Sequence, residues 1–292
     1  MAKKADSAHV YKPHTLREAL NLLREYPSLR CIAGGTDLMH KLKEGAPDAV
    51  PAALLSLAEV DELTKIRRRE NTVEIGAAVP LERIISLGGN VVPPLLVQVL
   101  SGIAGQAVRN LATLGCNIVL ASPFSDAILP LILFEARCEI RRFNAHTWAP
   151  LSRLVKAPWK FTLEPGEILT EVSLPIPQWD VRQYVKLDIM TQPSLSLLRF
   201  AGLAKVYKAT ISDFRAAWGG VDPLHLRNRE LEAMVIGSKI PFPPKLKQQF
   251  SLRVKQLIEK APPTFLPATY HRQSAVRLAL AFMERVSSYR ED

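Results

Sequence analysis

Thr15-Leu16-Arg17-Glu18 reads as a capping box, and Leu16, Ala19, Leu20 and Leu23 behind it form an apolar stripe at helical spacing. Residues 15–26 are therefore expected to form a helix that stops at Pro27-Ser28. A short strand over 30–33 should lead into Gly34-Gly35-Thr36, and a short helix over 37–43 should end at Gly45. Residues 52–57 read as a buried strand, and 66–68 with 72–77 as a hairpin about Glu70-Asn71. Short helices are expected over 80–85, 94–100 and 126–134, and strands over 137–142 and 167–174. Pro175-Ile176-Pro177 closes this run, because proline cannot donate to a sheet ladder.

Beyond that point the pattern changes. Residues 184–190, 203–208 and 213–217 read as antiparallel strands, and three helical segments follow near 229–235, 244–260 and 271–286. Strands first and helices after is an α+β arrangement rather than a repeated βαβ one. Two domains are expected, 1–178 and 179–292, in line with about 150 residues per domain for a chain of 292. No internal repeat and no low-complexity segment interrupts them.

Composition narrows the class. A hydrophobic fraction of 48% and a charged fraction of 23% are those of a globular protein. The longest apolar run, around 128–134, is far short of the roughly 20 residues that a membrane helix needs. The basic start is followed by no apolar stretch, so no secretory signal is expected and the chain is read as cytoplasmic. Three cysteines, at 31, 116 and 138, have no paired spacing and supply neither a zinc site nor an iron–sulfur cluster. The net charge of +10 is uneven: from Asp180 to Asp292 there are 18 Lys/Arg against 10 Asp/Glu. Between 245 and 260 the basic residues interleave with Leu, Phe and Val at helical spacing, which reads as a solvated helix face. Aromatics at 7% offer no stacking platform, so a nucleic-acid-binding module is the weaker reading.

Two glycine-containing turns carry the candidate chemistry. The first is Ile32-Ala33-Gly34-Gly35-Thr36-Asp37-Leu38; the second runs from Val108-Arg109-Asn110 through Thr113-Leu114-Gly115-Cys116-Asn117, with Ala121-Ser122-Pro123-Phe124-Ser125-Asp126 after it. Neither is a Walker A loop or a G-x-G-x-x-G fingerprint. Small residues at a strand–turn junction let successive backbone N–H groups face one concavity, and such a nest binds a pyrophosphate. Thr36, Thr113 and Asn117 add side-chain donors, and Asp126 is a candidate acceptor for a ribose hydroxyl.

Together these segments resemble the FAD-binding medium subunit of the molybdenum hydroxylases, the family of xanthine dehydrogenase and carbon monoxide dehydrogenase. That family's first flavin loop reads like A-G-G-T-D-L, matched by 33–38, and its second like R-N-x-A-T-x-G-G-N, matched by 109–117. The A-S-P-x-S-D segment, the E-I-L of Glu167-Ile168-Leu169, Lys186, and Gly219-Gly220-Val221-Asp222-Pro223 with Arg227 also fit. Two departures stand out: Cys116 replaces the family's second glycine, and 187–197 lacks the common M-D-I-S/A type of sequence.

The resemblance implies a two-lobed FAD domain of the vanillyl-alcohol-oxidase (PCMH) type, then a three-stranded sheet with a helix bundle. It implies that Ile32, Ala33, Gly34, Gly35, Thr36, Asp37 and Leu38, with Thr113, Leu114, Gly115, Cys116 and Asn117, cradle the FAD phosphates and ribityl chain. Ile103 and Ala104 would lie near the flavin, Asp126 would hold the adenosine end, and Leu169 and Lys186 would border the isoalloxazine. It further implies an oxidoreductase subunit that takes electrons from a [2Fe–2S] small subunit beside a molybdopterin-binding large subunit, and passes them to NAD or another acceptor. A flavin-free scaffold subunit is the alternative, motivated by Cys116.

The remaining residues are read as structural. The histidines at 9, 14, 40, 146, 225 and 271 make no metal-binding pattern. Asp61-Glu62 reads as a helix start or surface pair, Arg67-Arg68-Arg69 as solvated, Cys31 and Cys138 as core, and Ser122 and Ser125 as lacking a base.

Overall fold

The computed structural model describes residues 9–44, 53–189, 192–220, 225–260 and 268–290. β1 (His9–Tyr11) leads into α1 (Leu16–Glu25), where both halves of the capping box form. Thr15 Oγ1 accepts the Glu18 N–H at 3.2 Å, and the Glu18 carboxylate accepts the Thr15 N–H at 3.3 Å. Glu62 adds a further acceptor, taking the Leu16 N–H at 3.0 Å, so this part of the Asp61-Glu62 pair caps α1 rather than facing only solvent. β2 (Arg30–Ile32), α2 (Thr36–Lys43) and β3 (Ala53–Ser56) follow, and the three strands make a parallel sheet in the order β1-β3-β2. The apolar stripe of α1 packs on Leu55, Val60 and Leu63. Gly45, the expected helix stop, lies outside the described residues.

β4 (Ile66–Arg68) and β5 (Thr72–Gly76) form the expected hairpin. Four short helices come next, α3 (Leu81–Ser86), α4 (Pro94–Ser101), α5 (Gln106–Arg109) and α6 (Leu114–Val119), and then α7 (Ile128–Leu133). β6 (Arg137–Arg142), β7 (Ala145–Pro150), α8 (Leu151–Leu154), β8 (Val155–Ala157), β9 (Lys160–Phe161) and β10 (Ile168–Pro175) complete this stretch. Sheet order β4-β5-β10-β6-β7 is antiparallel throughout and puts β10 at the centre. That position explains why β10 is buried along most of its length.

The chain divides into two compact units. One takes in 1–121, 134–156 and 160–176; the other takes in 122–133, 157–159 and 177–292. The α7 segment, which precedes the expected boundary at 178, thus belongs to the second unit. There β11 (Val181–Ile189), β12 (Gln192–Tyr207), β13 (Thr210–Gly219) and β14 (His225–Arg227) form an antiparallel sheet in chain order. It has four strands among the described residues where three were implied, because β14 is too short to leave a periodic signal. α9 (Arg229–Ala233), α10 (Pro244–Lys260) and α11 (Ala268–Ser287) supply the helices. Phe214 is the hub of their core, 5.2 Å from the Phe282 ring and 5.9 Å from that of Phe250. Trp218 satisfies its buried indole N–H on the Ala275 carbonyl at 3.1 Å. On α10, Phe250, Val254 and Ile258 face inward, while Lys247 pairs with Glu284 and Arg253 with Glu230 at the surface. The basic residues of this helix therefore include paired, solvated ones, as its pattern predicts.

Candidate functional site

The first glycine turn joins β2 to α2. Gly35 caps α2 in the left-handed region (φ +66°), where a residue with a side chain is strained, and a Cβ there would meet open space. No side chain caps this helix. The first intrahelical bond runs from the Met39 N–H to the Gly35 carbonyl at 2.9 Å, which leaves the N–H groups of Thr36, Asp37 and Leu38 without an intrahelical acceptor. Gly34 is held in close contact with the second turn: a Cβ would land on the Leu111 carbonyl. Ile32, Ala33, Gly34, Gly35, Thr36, Asp37 and Leu38 are all half-buried. Asp37 is neutralised by Lys41 one turn on, at 2.7 Å. The result is an anion-ready helix start over open space.

The second turn differs from its expected form. It is two short helices rather than a strand–turn nest, and its N–H groups are already bonded. Leu114 donates to the Val79 carbonyl at 3.2 Å and Gly115 to the Ala77 carbonyl at 2.9 Å. Cys116 donates to Thr113 Oγ1 at 3.3 Å, and Asn117 to the Thr113 carbonyl at 3.1 Å. Backbone N–H groups without an intrahelical acceptor therefore belong to the first turn, and the second packs against it at Leu111. Gly115 is needed for packing, since a Cβ would sit 2.6 Å from both the Cβ and the carbonyl oxygen of Ala77. Cys116 is exposed, and its N–H already serves the Thr113 cap.

Cys31, expected in the core, is a residue that sequence reading missed. It is accessible to solvent, yet surrounding protein and then the neighbouring Cys116 thiol push its own thiol up to about 12. Cys31 stands three residues before Gly34. Its place directly ahead of the turn is the only signal the sequence carried. Cys138 behaves as expected, fully buried and likewise pushed up to about 12 by burial. Ile103 is half-buried, and Ala104 is exposed with a left-handed backbone (φ +45°). Leu169 is buried on β10, opposite Ile140, so its side chain serves the packing of that sheet.

Asp126 and Lys186 belong to the second unit and are partners: Lys186 Nζ lies 2.8 Å from Asp126 Oδ2. Arg199, fully buried, holds the other carboxylate oxygen at 3.2 Å and also donates to the Pro123 carbonyl. An extended dinucleotide cannot have Asp126 at its adenosine end and Lys186 at its ring end, because the two residues occupy one place. Asp126 accepts from protein cations rather than standing open to a ribose.

A second polar group lies within the first unit. A cavity of about 360 Å³ is lined by Arg67, Glu139, Arg141, Thr170 and Glu171 over apolar Leu20. Arg67, expected to be solvated, donates to Glu74 at 3.0 Å and to Glu171. Burial raises both buried carboxyls, but with opposite outcomes. For Glu139 the hydrogen bonds from Arg141 and Thr170 outweigh burial and hold it below its ordinary value; for Glu171 burial outweighs Arg67 and pushes it above. Glu139 thus contributes stability that is present above its unfolded pKa and lost as pH falls through its folded one. Glu171 contributes stability that is present in acid and lost as pH rises through its folded value. Glu139→Gln should lower stability at pH 7 by about 1.5–3 kcal/mol, with the deficit shrinking in acid. Glu171→Gln should be neutral or stabilising at pH 7, with any gain vanishing in acid. Melting curves recorded from pH 4 to pH 8 check this; two variants with the same pH trend would contradict it.

Among the described residues no three His, Cys, Asp or Glu side chains group to hold a metal, and no helix is long and apolar enough to cross a membrane. Residues 5–177 match the family profile described as the FAD binding domain in molybdopterin dehydrogenase. The chain is 26% identical over 235 residues to the xanthine dehydrogenase FAD-binding subunit of Escherichia coli O157:H7, covering 78% of each. It is 29% identical over 236 residues to the glyceraldehyde dehydrogenase medium chain of Sulfolobus acidocaldarius, covering 78% of this chain and 81% of that one. A chain of the carbon monoxide dehydrogenase of Hydrogenophaga pseudoflava superposes with a TM-score of 0.84 over 96% of both chains; at 24% identity this is a likeness of fold.

Proposed function

The chain belongs to the family of FAD-binding domains of the molybdopterin dehydrogenases and is an FAD-binding oxidoreductase subunit; from that premise we propose that it relays electrons within a molybdenum-dependent hydroxylase. The observation that carries this reading is the helix start at 36–38, with no intrahelical acceptor for its N–H groups, over the open space at Gly35. Those N–H groups would hold the FAD pyrophosphate, with the Thr36 side chain beside them, and the α5–α6 stretch would wall the cradle. The parallel sheet and the antiparallel sheet of the first unit fit the two lobes of a vanillyl-alcohol-oxidase (PCMH) type domain, followed by a C-terminal domain from about residue 179. Exchange of electrons one or two at a time is the chemistry that bound FAD supplies, while the chain contributes position and electrostatics.

With three cysteines in all, the chain cannot ligate a four-cysteine cluster by itself. Reducing equivalents would arrive from a [2Fe–2S] small subunit, after substrate oxidation on a molybdopterin-binding large subunit, and leave to NAD or another acceptor. The purified full-length chain should be yellow, or become so with added FAD. Bound FAD should slow alkylation of Cys116, followed by peptide mass spectrometry. Native expression should yield two unlike subunits along with it. A chain that neither carries nor takes up FAD, with Cys116 labelled at the same rate in its presence, would overturn the reading.

A further inference from the structure

Arg109 ends α5, immediately before the stretch that walls the cradle, and its guanidinium gathers four contacts. Nη1 donates to the carbonyls of Ser101 at 3.2 Å, Ile103 at 3.1 Å and Ala104 at 2.9 Å, and Nε donates to Glu82 Oε2 at 2.8 Å. The pair is largely shielded, with side-chain exposures of 14% for Arg109 and 24% for Glu82. Ala104 is an alanine in the left-handed region, a conformation that L residues avoid and that persists only where the surroundings fix it. Three convergent carbonyls on one cation supply that fixation.

The same side chain ties this turn to the wall. Glu82 sits on the first turn of α3, whose Leu81 N–H donates to the Ala112 carbonyl at 2.9 Å, and Pro80 bridges to Thr113. Leu111, two residues past Arg109, presents the carbonyl against which Gly34 is packed. The strained turn at 103–104, the wall at 111–113 and the first glycine turn are thereby joined through one guanidinium and its carboxylate. Lysine cannot replace it, because an ammonium on a flexible stem lacks the planar fork that spans carbonyls and carboxylate together.

We propose that Arg109 is a positioning residue for the flavin, fixing the Ile103-Ala104 turn and the cradle wall with Glu82 as its anchor. This rests on the reading of 33–38 as the FAD cradle. The test uses the full-length chain and FAD as the probe, with affinity, the bound-flavin absorption band and the midpoint potential as readouts. Arg109→Ala should weaken FAD binding about tenfold to a hundredfold, the range seen when a supporting outer partner is lost, and should alter band and potential of the flavin that still binds. Arg109→Lys should recover little. Glu82→Gln should fall between, and adding it to Arg109→Ala should change little more, since both act through one contact. Arg83→Ala, whose guanidinium serves the Thr64 carbonyl instead, should match the wild type. The melting temperature of the flavin-free chain separates lost positioning from lost folding. Wild-type affinity, band and potential in Arg109→Ala would overturn the inference while leaving the cradle intact. A wild-type chain that binds no FAD would instead remove the reading beneath it.

Discussion

Gly35→Val should give a folded chain without flavin. A β-branched residue at φ +66° is strained by about 1–3 kcal/mol, and its Cβ would project into a space where no atom beyond its immediate chain neighbours lies within 4 Å. If a pyrophosphate occupies that space, the substitution removes the approach to the N–H groups of 36–38. Losing two charge-assisted hydrogen bonds, at about 1.5 kcal/mol or more each, lowers FAD affinity at least about a hundredfold. Gly88→Val is the matched control, being left-handed at φ +70° with open space around it and no place in the cradle. It should suffer similar backbone strain and keep its flavin. Gly34→Ala should lose flavin for another reason: the new methyl group collides with the Leu111 carbonyl and must push the two turns apart. Flavin content and the melting temperature of the flavin-free chain distinguish the three. Equal flavin in Gly35→Val and wild type would refute the placement of the phosphate.

The legible parts of this chain are those whose signals are local. The capping box at Thr15 forms in full because its donors and acceptors lie within three residues. The 244–260 helix appears with those bounds because its apolar spacing is undisturbed. The second glycine turn misled because helices of four and six residues are too short to show a period, so small residues there read as a nest. β12 runs for 16 residues, whereas only 203–208 reads as strand. Gly202 looks like a break but is required inside the strand, since a Cβ there would sit 2.6 Å from the Phe282 ring of α11. That neighbour is 80 residues away, and no local pattern reports it. Cys31 misled in the opposite sense, because an apolar residue on a three-residue strand looks the same whether its face is covered or open to solvent. Asp126 and Lys186 were named from sequence, but their pairing, 60 residues apart, is a fact of tertiary structure.

The buried Asp126–Arg199 pair sets the largest expected effect on stability. Asp126 is 5% exposed and Arg199 fully buried, so each depends on the other to be tolerated away from water. Asp126→Ala leaves the Arg199 guanidinium with the Pro123 carbonyl and a Nε that already has no hydrogen-bond partner. Removing one member of such a pair costs about 3–5 kcal/mol, because an uncompensated charge remains in the interior. Asp126→Asn keeps an acceptor and should cost less. Lys186→Gln should cost about 1 kcal/mol or less, since Lys186 is 18% exposed and water takes over part of its role. Arg199 has no slack on its other side: it pairs across the sheet with Gly219, where a Cβ would approach its Nε and Nη2 to 2.9 Å. Gly219→Ala should therefore reproduce part of the loss by displacing the guanidinium. Combining Asp126→Ala with Arg199→Met should recover much of it, because the double change buries neither charge. Urea unfolding followed by tryptophan fluorescence in a Trp148→Phe background suits the measurement, since Trp148 lies in the first unit whereas Trp159, Trp179 and Trp218 lie in the second and report its transition. A double variant no more stable than Asp126→Ala alone would mean that the ion pair is not the source of the loss.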